Sequence, residues 1–288
     1  MRVLILGGSG MLGHQLLKQL SKTHDARVTL RGELSEYLAF GLFNAKNSYS
    51  GIELGSIEPL ARVVKDFRPQ VIVNAAGFVK QKAESKDSIP SLEINSLLPH
   101  RLALLCEQTS SRLIHMSTDC VFSGKKGGYR ESDPSDTEDL YCKSKFLGEV
   151  HESHCLTLRT SIIGRELMHK TSLLEWFLSQ RGTIHGFSHA IFSGFTTLEL
   201  VRIIDNIISG YPRASGLYHV SSDPISKYDL LKLIKEKMRL LLEIVPDAEF
   251  KCNLSLDSTK FRSEFKYNPP SWEVMIDKLA QDYLGRAE

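Results

Sequence analysis

The chain has 288 residues, of which 42% are hydrophobic and 24% are charged, and its formal net charge at pH 7 is +2. This length allows one large or two small domains with a proper core, while the near-neutral charge and the lack of basic runs or long apolar stretches exclude an obvious nucleic-acid or membrane partner. The five cysteines are odd in number and lack C-x-x-C spacing, so we expect reduced thiols in a cytoplasmic protein, with neither a disulfide framework nor a metal site.

A glycine-rich turn stands between the first predicted strand and the first predicted helix. Residues 3–6 have the pattern of a short buried strand, and apolar residues then recur at helical spacing as far as Leu20. In this setting Gly7 allows a tight turn, Gly10 lets the backbone approach a pyrophosphate, and Gly13 lets the helix pack close to the sheet. The sequence therefore predicts a dinucleotide site at Gly7, Ser9, Gly10, Met11, Leu12 and Gly13. A structural turn without a ligand is the alternative.

The second predicted strand bears on which dinucleotide binds. It covers residues 27–31, and NAD enzymes usually place an acid near the end of this strand to bind the ribose 2′-hydroxyl. Arg31 occupies that position, and a guanidinium suits a 2′-phosphate. We therefore favour NADP(H), while Glu33 leaves NAD(H) open.

The next segments alternate between helix and strand. We predict a helix over residues 60–67, a strand over 71–73, a helix over 94–108 and strands over 112–116 and 155–159. This order is typical of an α/β protein with a Rossmann-like, doubly wound parallel sheet. The small residues that follow the strand at 71–73 would let the chain pass close to the cofactor, and they are Ala75, Ala76 and Gly77.

The pattern becomes more mixed in the last part of the chain. We predict a Rossmann-like NAD(P)-binding domain over residues 1–164 and a smaller α/β substrate-binding region over 165–288, from which residues 197–222 return to the first domain. The helices predicted here cover residues 173–179, 197–208, 227–238 and 272–284, and the short strands cover 218–220 and 243–245.

A tyrosine and a lysine four residues apart follow the strand that ends near Thr118. Residues four apart share one face of a helix, so Lys145 can reach Tyr141. An ammonium there would lower the pKa of the tyrosine and make it a usable proton donor near neutral pH. Thr118 could hydrogen-bond the oxygen of a substrate beside Tyr141. We predict that these residues move a proton while a nicotinamide, held partly by Tyr141 and Lys145, exchanges a hydride.

The same spacing occurs a second time, at Tyr228 and Lys232. This copy sits in an amphipathic helix whose Leu230, Leu231 and Ile234 have the pattern of core residues. We interpret it as structural, because it does not follow a strand and loop that could face a cofactor.

Two longer segments, residues 114–124 and 140–149, resemble the dTDP-4-dehydrorhamnose reductase family of extended short-chain reductases. The similarity continues through four shorter segments, at residues 159–161, 224–228, 256–261 and 267–270, so that it covers nearly the whole chain. The resemblance implies NADPH-dependent reduction of a 4-keto-6-deoxy sugar nucleotide in deoxysugar or surface polysaccharide biosynthesis. It also implies that Thr118, Tyr141 and Lys145 occupy the catalytic positions.

The resemblance also bears on the substrate. Asn95 would lie in the helix that supports the site, and the weaker candidates for substrate contact are Lys80, Asn95, Thr118, Arg165, Phe192 and Ser193. Ile162 and Ile163 stand where many members carry an aromatic, and the loop at 77–82 departs from the usual acidic version. The nucleotide and the 2-substituent of the sugar therefore stay open. The oligomeric state also stays open, with a homodimer as one possibility. Two other functions stay open as well: an epimerase or dehydratase on the same scaffold, and a non-catalytic NADP-binding regulatory subunit.

Overall fold

The computed structural model describes residues 1–78, 88–168 and 170–284. The strands are β1 (Arg2–Leu6), β2 (Asp25–Thr29), β3 (Ser48–Tyr49), β4 (Val71–Asn74), β5 (Arg112–Thr118), β6 (Cys155–Thr160), β7 (Ile162–Ile163), β8 (Gly182–Phe192), β9 (Phe195–Thr196), β10 (Gly216–His219), β11 (Ile225–Ser226) and β12 (Leu242–Asn253). The helices are α1 (Gly13–Leu20), α2 (Glu58–Phe67), α3 (Ser88–Ser91), α4 (Leu98–Thr109), α5 (Leu140–Leu147), α6 (Leu173–Ser179), α7 (Thr197–Gly210), α8 (Lys227–Lys237), α9 (Thr259–Glu264) and α10 (Trp272–Leu284). Within the described ranges, none of these helices has the length and apolarity needed to span a bilayer.

The main sheet has seven parallel strands in the order β10-β6-β5-β4-β1-β2-β3. Its central strands are buried on both faces. Val3 and Ile5 pack into one core with α1, α7 and α10, whereas Leu4 and Leu6 pack into a second core with α2 and α4. Each of these four side chains is fully buried, which contributes about 1.5–3 kcal/mol apiece. Helices on both faces of a parallel sheet are what the sequence predicted.

The chain reverses its direction across the sheet at β1. β2 and β3 extend the sheet on one side of β1, and β4, β5, β6 and β10 extend it on the other. In open α/β sheets, ligands bind in the crevice outside the carboxyl ends of the strands at such a switch point. The residues that follow β1 and β4 therefore border the expected ligand crevice.

The last part of the chain adds a three-stranded sheet in the order β11-β8-β12. β8 and β12 are parallel and long, with an irregularity between Asp247 and Lys251. The sequence analysis missed β8 and predicted only residues 243–245 of β12. β10 joins the main sheet beside β6. The division of the chain into two domains stays a prediction.

Candidate active site

The glycine turn after β1 has the close packing that its sequence requires. Gly7 has a φ of +79°, a conformation that favours glycine, and its carbonyl accepts a hydrogen bond from Gly10 N at 3.0 Å. A Cβ on Gly13 would lie 2.0 Å from the Gly7 carbonyl oxygen, so a side chain there is excluded. Within the described residues, the amides of Met11 and Leu12 donate no hydrogen bond. Free amides at a helix N-terminus are suited to a phosphate group.

The segment after β4 lies across from this turn. A Cβ on Gly7 would lie 3.0 Å from the Cα of Ala76 and 3.1 Å from the carbonyl oxygen of Ala75, so the two segments are in contact. Asn74 Oδ1 accepts the Ala76 amide at 3.2 Å, and Gly77 is exposed. The predicted cofactor residues of both segments are thus brought together at the switch point.

Asn95 connects the segment after β4 to helix α5. It lies in a π-helical stretch, Leu92–Leu97, and is fully buried. Its Oδ1 accepts the Phe78 amide at 3.1 Å, and its Nδ2 donates to Ser144 Oγ, also at 3.1 Å. The Ser144 hydroxyl in turn donates to the Tyr141 carbonyl at 2.7 Å. These contacts let Asn95 position the segment after β4 against α5, as the resemblance implied, and its role as a substrate contact stays a prediction.

Thr118 ends β5 and starts the next turn. Its hydroxyl accepts the Cys120 amide and donates to Asp119 Oδ1, each at 3.2 Å, which begins the 3-10 turn Asp119–Val121. The same hydroxyl makes a hydrogen bond with Tyr141 that favours the phenolate. Thr118 is half-buried, as is Tyr141, so both are reachable from the crevice.

α5 carries the tyrosine and the lysine. Asp139 caps the helix by accepting the Cys142 amide at 3.2 Å. Lys145 is buried, and its Nζ donates to the Met116 carbonyl of β5 at 2.6 Å. Burial lowers the pKa of Lys145 to about 8, against smaller raising effects of Cys120 and Glu149. The ammonium is therefore fixed against β5, one turn of helix from Tyr141.

The prediction of a lowered tyrosine pKa is wrong for the protein alone. Burial holds the pKa of Tyr141 well above its usual value, and Cys120, Cys142 and Asp119 add to this effect, whereas the hydrogen bond with Thr118 lowers the pKa. The charge of Lys145 is directed at a backbone carbonyl instead. Tyr141 is consequently a protonated phenol at neutral pH, which is the form that a proton donor needs.

Asp119 lies beside these residues and was not among the predicted site residues. The side chain is buried, and this burial raises the pKa to about 6 in spite of hydrogen bonds from Ser161 and Thr118 and the charge of Lys227. The position of Asp119 beside Thr118 was a usable signal. Lys227 and Ser161 lie far along the chain, so only the fold brings them here.

Arg31 follows β2 and is exposed. In the part of the chain that the structure describes, its guanidinium has no hydrogen bond or ion pair to another residue. The glycine turn packs against the same strand, because Gly8 N donates to the Thr29 carbonyl at 3.0 Å. A free guanidinium at this strand end is suited to a cofactor phosphate.

The remaining candidates for substrate contact have partners within the protein. Arg165 donates to Glu175 Oε1 at 2.6 Å, and Phe192 packs on Trp272 with 5.5 Å between ring centroids. Ser193 is buried and accepts the Leu256 amide at 3.1 Å. Each of the three side chains therefore has a structural role within the protein, and their contact with a substrate stays a prediction. Lys80 lies outside the described residues.

Comparisons with known proteins cover nearly the whole chain. The RmlD substrate binding domain family model matches residues 1–284. The dTDP-4-dehydrorhamnose reductase of Aggregatibacter actinomycetemcomitans is 26% identical, over 96% of this chain and 98% of its own. A solved dTDP-4-dehydrorhamnose reductase from Bacillus anthracis in complex with NADP has a TM-score of 0.79 at 22% identity, covering 98% of this chain and 99% of that one. A hypothetical dTDP-4-dehydrorhamnose reductase from Sulfolobus tokodaii has a TM-score of 0.73 at 26% identity, covering 91% and 94%. The predicted Rossmann-like α/β fold is confirmed.

Proposed function

Because the chain belongs to the RmlD substrate binding domain family, we propose that it reduces the 4-keto group of a 6-deoxy sugar nucleotide with NADPH. The observation that carries this proposal is the meeting of Thr118, Tyr141 and Lys145 at the sheet edge that holds the glycine turn. One curated relative that matches almost end to end is the dTDP-4-dehydrorhamnose reductase of Aggregatibacter actinomycetemcomitans. The experiment at the end of this subsection also distinguishes the reductase from an epimerase, a dehydratase and a regulatory subunit.

The residues around the switch point fit an NADP(H) molecule. Within the described residues the amides of Met11 and Leu12 donate no hydrogen bond, so they are free to bind the pyrophosphate, and Gly7 brings the turn into contact with Ala76 after β4. Arg31 would bind the 2′-phosphate, because its guanidinium is exposed and no acid stands at the end of the strand. These features support NADP(H) over NAD(H).

The proton-transfer step uses groups that are already in place. When bound, the reduced nicotinamide supplies a hydride to carbon 4 of the sugar. Tyr141 gives its phenolic proton to the oxygen that becomes an alkoxide, so that one hydride and one proton convert the ketone to an alcohol. Thr118 fixes the tyrosine hydroxyl through their hydrogen bond, and Lys145, which Met116 holds against β5, would bind the cofactor ribose.

We propose that the segment after β6 borders the sugar. Ile162 is half-buried there and pairs with Phe195 of β9, whereas Ile163 is buried. An apolar side chain in place of an aromatic changes the shape that a sugar ring meets. We extend the proposal to a cytoplasmic enzyme of deoxysugar or surface polysaccharide biosynthesis that acts as a homodimer.

The test is a panel of 4-keto-6-deoxy sugar nucleotides with either a 2-hydroxyl or a 2-acetamido group. We expect NADPH absorbance to fall with the true substrate, and kcat/KM for the two classes to differ at least about tenfold, because a site that hydrogen-bonds one group rejects analogues lacking it. Equal rates would contradict a dedicated pocket for the 2-substituent. If no member oxidises NADPH, product analysis separates an epimerase or dehydratase from a binding subunit, and either result overturns the proposal.

A further inference from the structure

Two cysteines flank the proposed proton donor from opposite sides. Cys120 comes two residues after Thr118 in the 3-10 turn, and Cys142 directly follows Tyr141 in α5. The turn and the helix pack against each other, and the side chains of the two cysteines are joined by a hydrogen bond. Both are free thiols. The fold thus places two sulfur atoms in contact at the reacting end of the site.

The exposure of the two thiols differs in a useful way. Cys120 is half-buried, whereas Cys142 is only 3% exposed. A small reagent in solvent therefore reaches Cys120 first, and Cys142 is reachable from Cys120. Cys106 and Cys155, by contrast, are fully buried away from this site, in the core between the main sheet and α4.

We propose that Cys120 and Cys142 form a modification site at which a peroxide closes a disulfide and stops turnover. In the first step the Cys120 sulfur attacks one peroxide oxygen, the O–O bond breaks, and a sulfenic acid and water form. In the second step the Cys142 sulfur attacks the sulfenic sulfur and releases a second water. Two thiols are oxidised and one hydrogen peroxide is reduced to two waters.

The new bond would displace the residues that carry the chemistry. An S–S bond is about 2.05 Å long, which is shorter than a contact between two thiols, so closure draws the turn and α5 together. Thr118 lies two residues before Cys120 and Tyr141 directly precedes Cys142, and a displacement of about 1 Å at a catalytic group can lower a rate about 100-fold. The effect on turnover rests on the proposed function, whereas the disulfide itself does not.

The surroundings of the pair set how its reaction depends on pH. The hydrogen bond with Cys142, burial and the charge of Asp119 all raise the pKa of the Cys120 thiol, and Tyr141 and Lys145 face the same sulfur from α5. Only the thiolate attacks a peroxide. Closure should therefore be slow at pH 7 and speed up about tenfold for each pH unit as the thiolate fraction rises. The reduced site resists brief exposure and responds to sustained oxidant.

The experiment treats the reduced protein with hydrogen peroxide and follows two readouts. Mass spectrometry of a tryptic digest reports whether the peptide that ends at Lys125, with Cys120, is linked to the peptide that ends at Lys143, with Cys142. NADPH oxidation reports turnover, normalised to each untreated variant. We expect the linked peptides, a loss of activity of at least tenfold, and recovery of both with dithiothreitol.

Two variants keep the result interpretable. Cys142→Ser should give no linked peptides and should lose the recoverable inactivation. Cys252→Ser is the matched control, since Cys252 is also half-buried but lies in β12, and it should behave as the wild type. Oxidation of Cys252 without a Cys120–Cys142 link would overturn the proposal. A link that leaves turnover unchanged would overturn the inhibitory role, while a link in a protein without reductase activity would count against the proposed function alone.

Discussion

The molecule contains two tyrosine-lysine pairs with the same spacing, and their surroundings differ completely. Lys145 is buried and donates to a β5 carbonyl at 2.6 Å, and Tyr141 hydrogen-bonds Thr118. Lys232 is exposed, and its ammonium lies 5.2 Å from the ring centre of Tyr228. In the described part of the chain, the Tyr228 hydroxyl has no hydrogen-bond partner. One helical spacing thus produces a potential proton-transfer site in one place and a surface contact in the other.

The difference comes from what each helix packs against. α5 follows the end of a central strand, so its first turn meets a hydroxyl from Thr118 and a carboxyl from Asp119. α8 packs against β8, where a Cβ on Gly186 would lie 3.0 Å from the Tyr228 ring. The tyrosine-lysine spacing alone therefore has little predictive value. Whether such a pair can transfer a proton depends on the groups that the helix packs against, which for α5 are Thr118 and Asp119 at the end of β5.

The largest expected effect separates the two tyrosines. Tyr141→Phe should lower kcat by about 10²–10⁴-fold, because general acid catalysis typically contributes this much, while NADPH binding changes little. Tyr228→Phe should leave kcat nearly unchanged, because it removes a hydroxyl with no hydrogen-bond partner among the described residues. Steady-state kinetics on both variants checks the difference. Wild-type turnover in Tyr141→Phe would remove the distinction between the pairs.

The two lysines provide the next test. Lys145→Met should lower kcat/KM by about 10–150-fold, the scale of a charge-assisted hydrogen bond at 1.5–3 kcal/mol. Because burial brings the pKa of Lys145 to about 8, the wild-type rate should fall as pH rises past about 8, and the variant should lack this decline. Lys232→Met should keep both the rate and the pH profile. A pH-dependent decline that persists in Lys145→Met would assign it to another group.

Arg31 separates cofactor binding from proton transfer. Arg31→Ala should weaken NADPH binding by about 1.5–3 kcal/mol, again the scale of a charge-assisted hydrogen bond, and should leave NADH affinity almost unchanged. Fluorescence titration of both cofactors measures this. Equal losses for NADPH and NADH would mean that Arg31 supports the fold or the adenine pocket.

The smallest expected effect is on the stability of the fold, and it comes from the carboxyl groups that lie near the two tyrosines. Burial raises the pKa of Asp119 to about 6, against about 3.9 in an unfolded chain. Between these values the folded protein holds the extra proton, so the free energy of unfolding falls as pH rises to 6 and stays low above it. Asp119→Asn should therefore raise the melting temperature by several degrees at pH 7 and little at pH 4.

The matched control for this variant is Asp229→Asn, because Asp229 is exposed beside Tyr228. It should not raise the melting temperature at pH 7. Thermal unfolding at the two pH values measures both variants. A shift of equal size at pH 4 and pH 7 in Asp119→Asn would show that its charge does not destabilise the fold.

The sequence predicted the elements of the main sheet because their signals are local. The glycine turn and the buried runs of β1, β4, β5 and β6 can each be recognised within one short segment. β8 was missed because its buried face includes Gly186 and Ala190, which give weak alternation of apolar and polar residues. Small residues fit there because α8 packs closely on the strand.

The proximity of the predicted catalytic residues could be expected from the sequence, whereas their electrostatics could not, and their roles stay predictions. Thr118, Tyr141 and Lys145 follow from order and spacing along the chain. The raised pKa of Tyr141 depends on burial and on Asp119 and Cys120, whose effects are set by three-dimensional packing. The contact of Cys120 with α5 could not be predicted for the same reason, since it exists only in the folded chain.

The most direct test of the reductase proposal follows the hydride itself. NADPH that carries deuterium at the transferable position of the nicotinamide is incubated with the protein and the best substrate of the panel, and the product sugar is analysed by mass spectrometry and NMR. We expect one deuterium at carbon 4 of the sugar for each NADPH oxidised. Conversion of the sugar without label at carbon 4, or without net oxidation of NADPH, would contradict it.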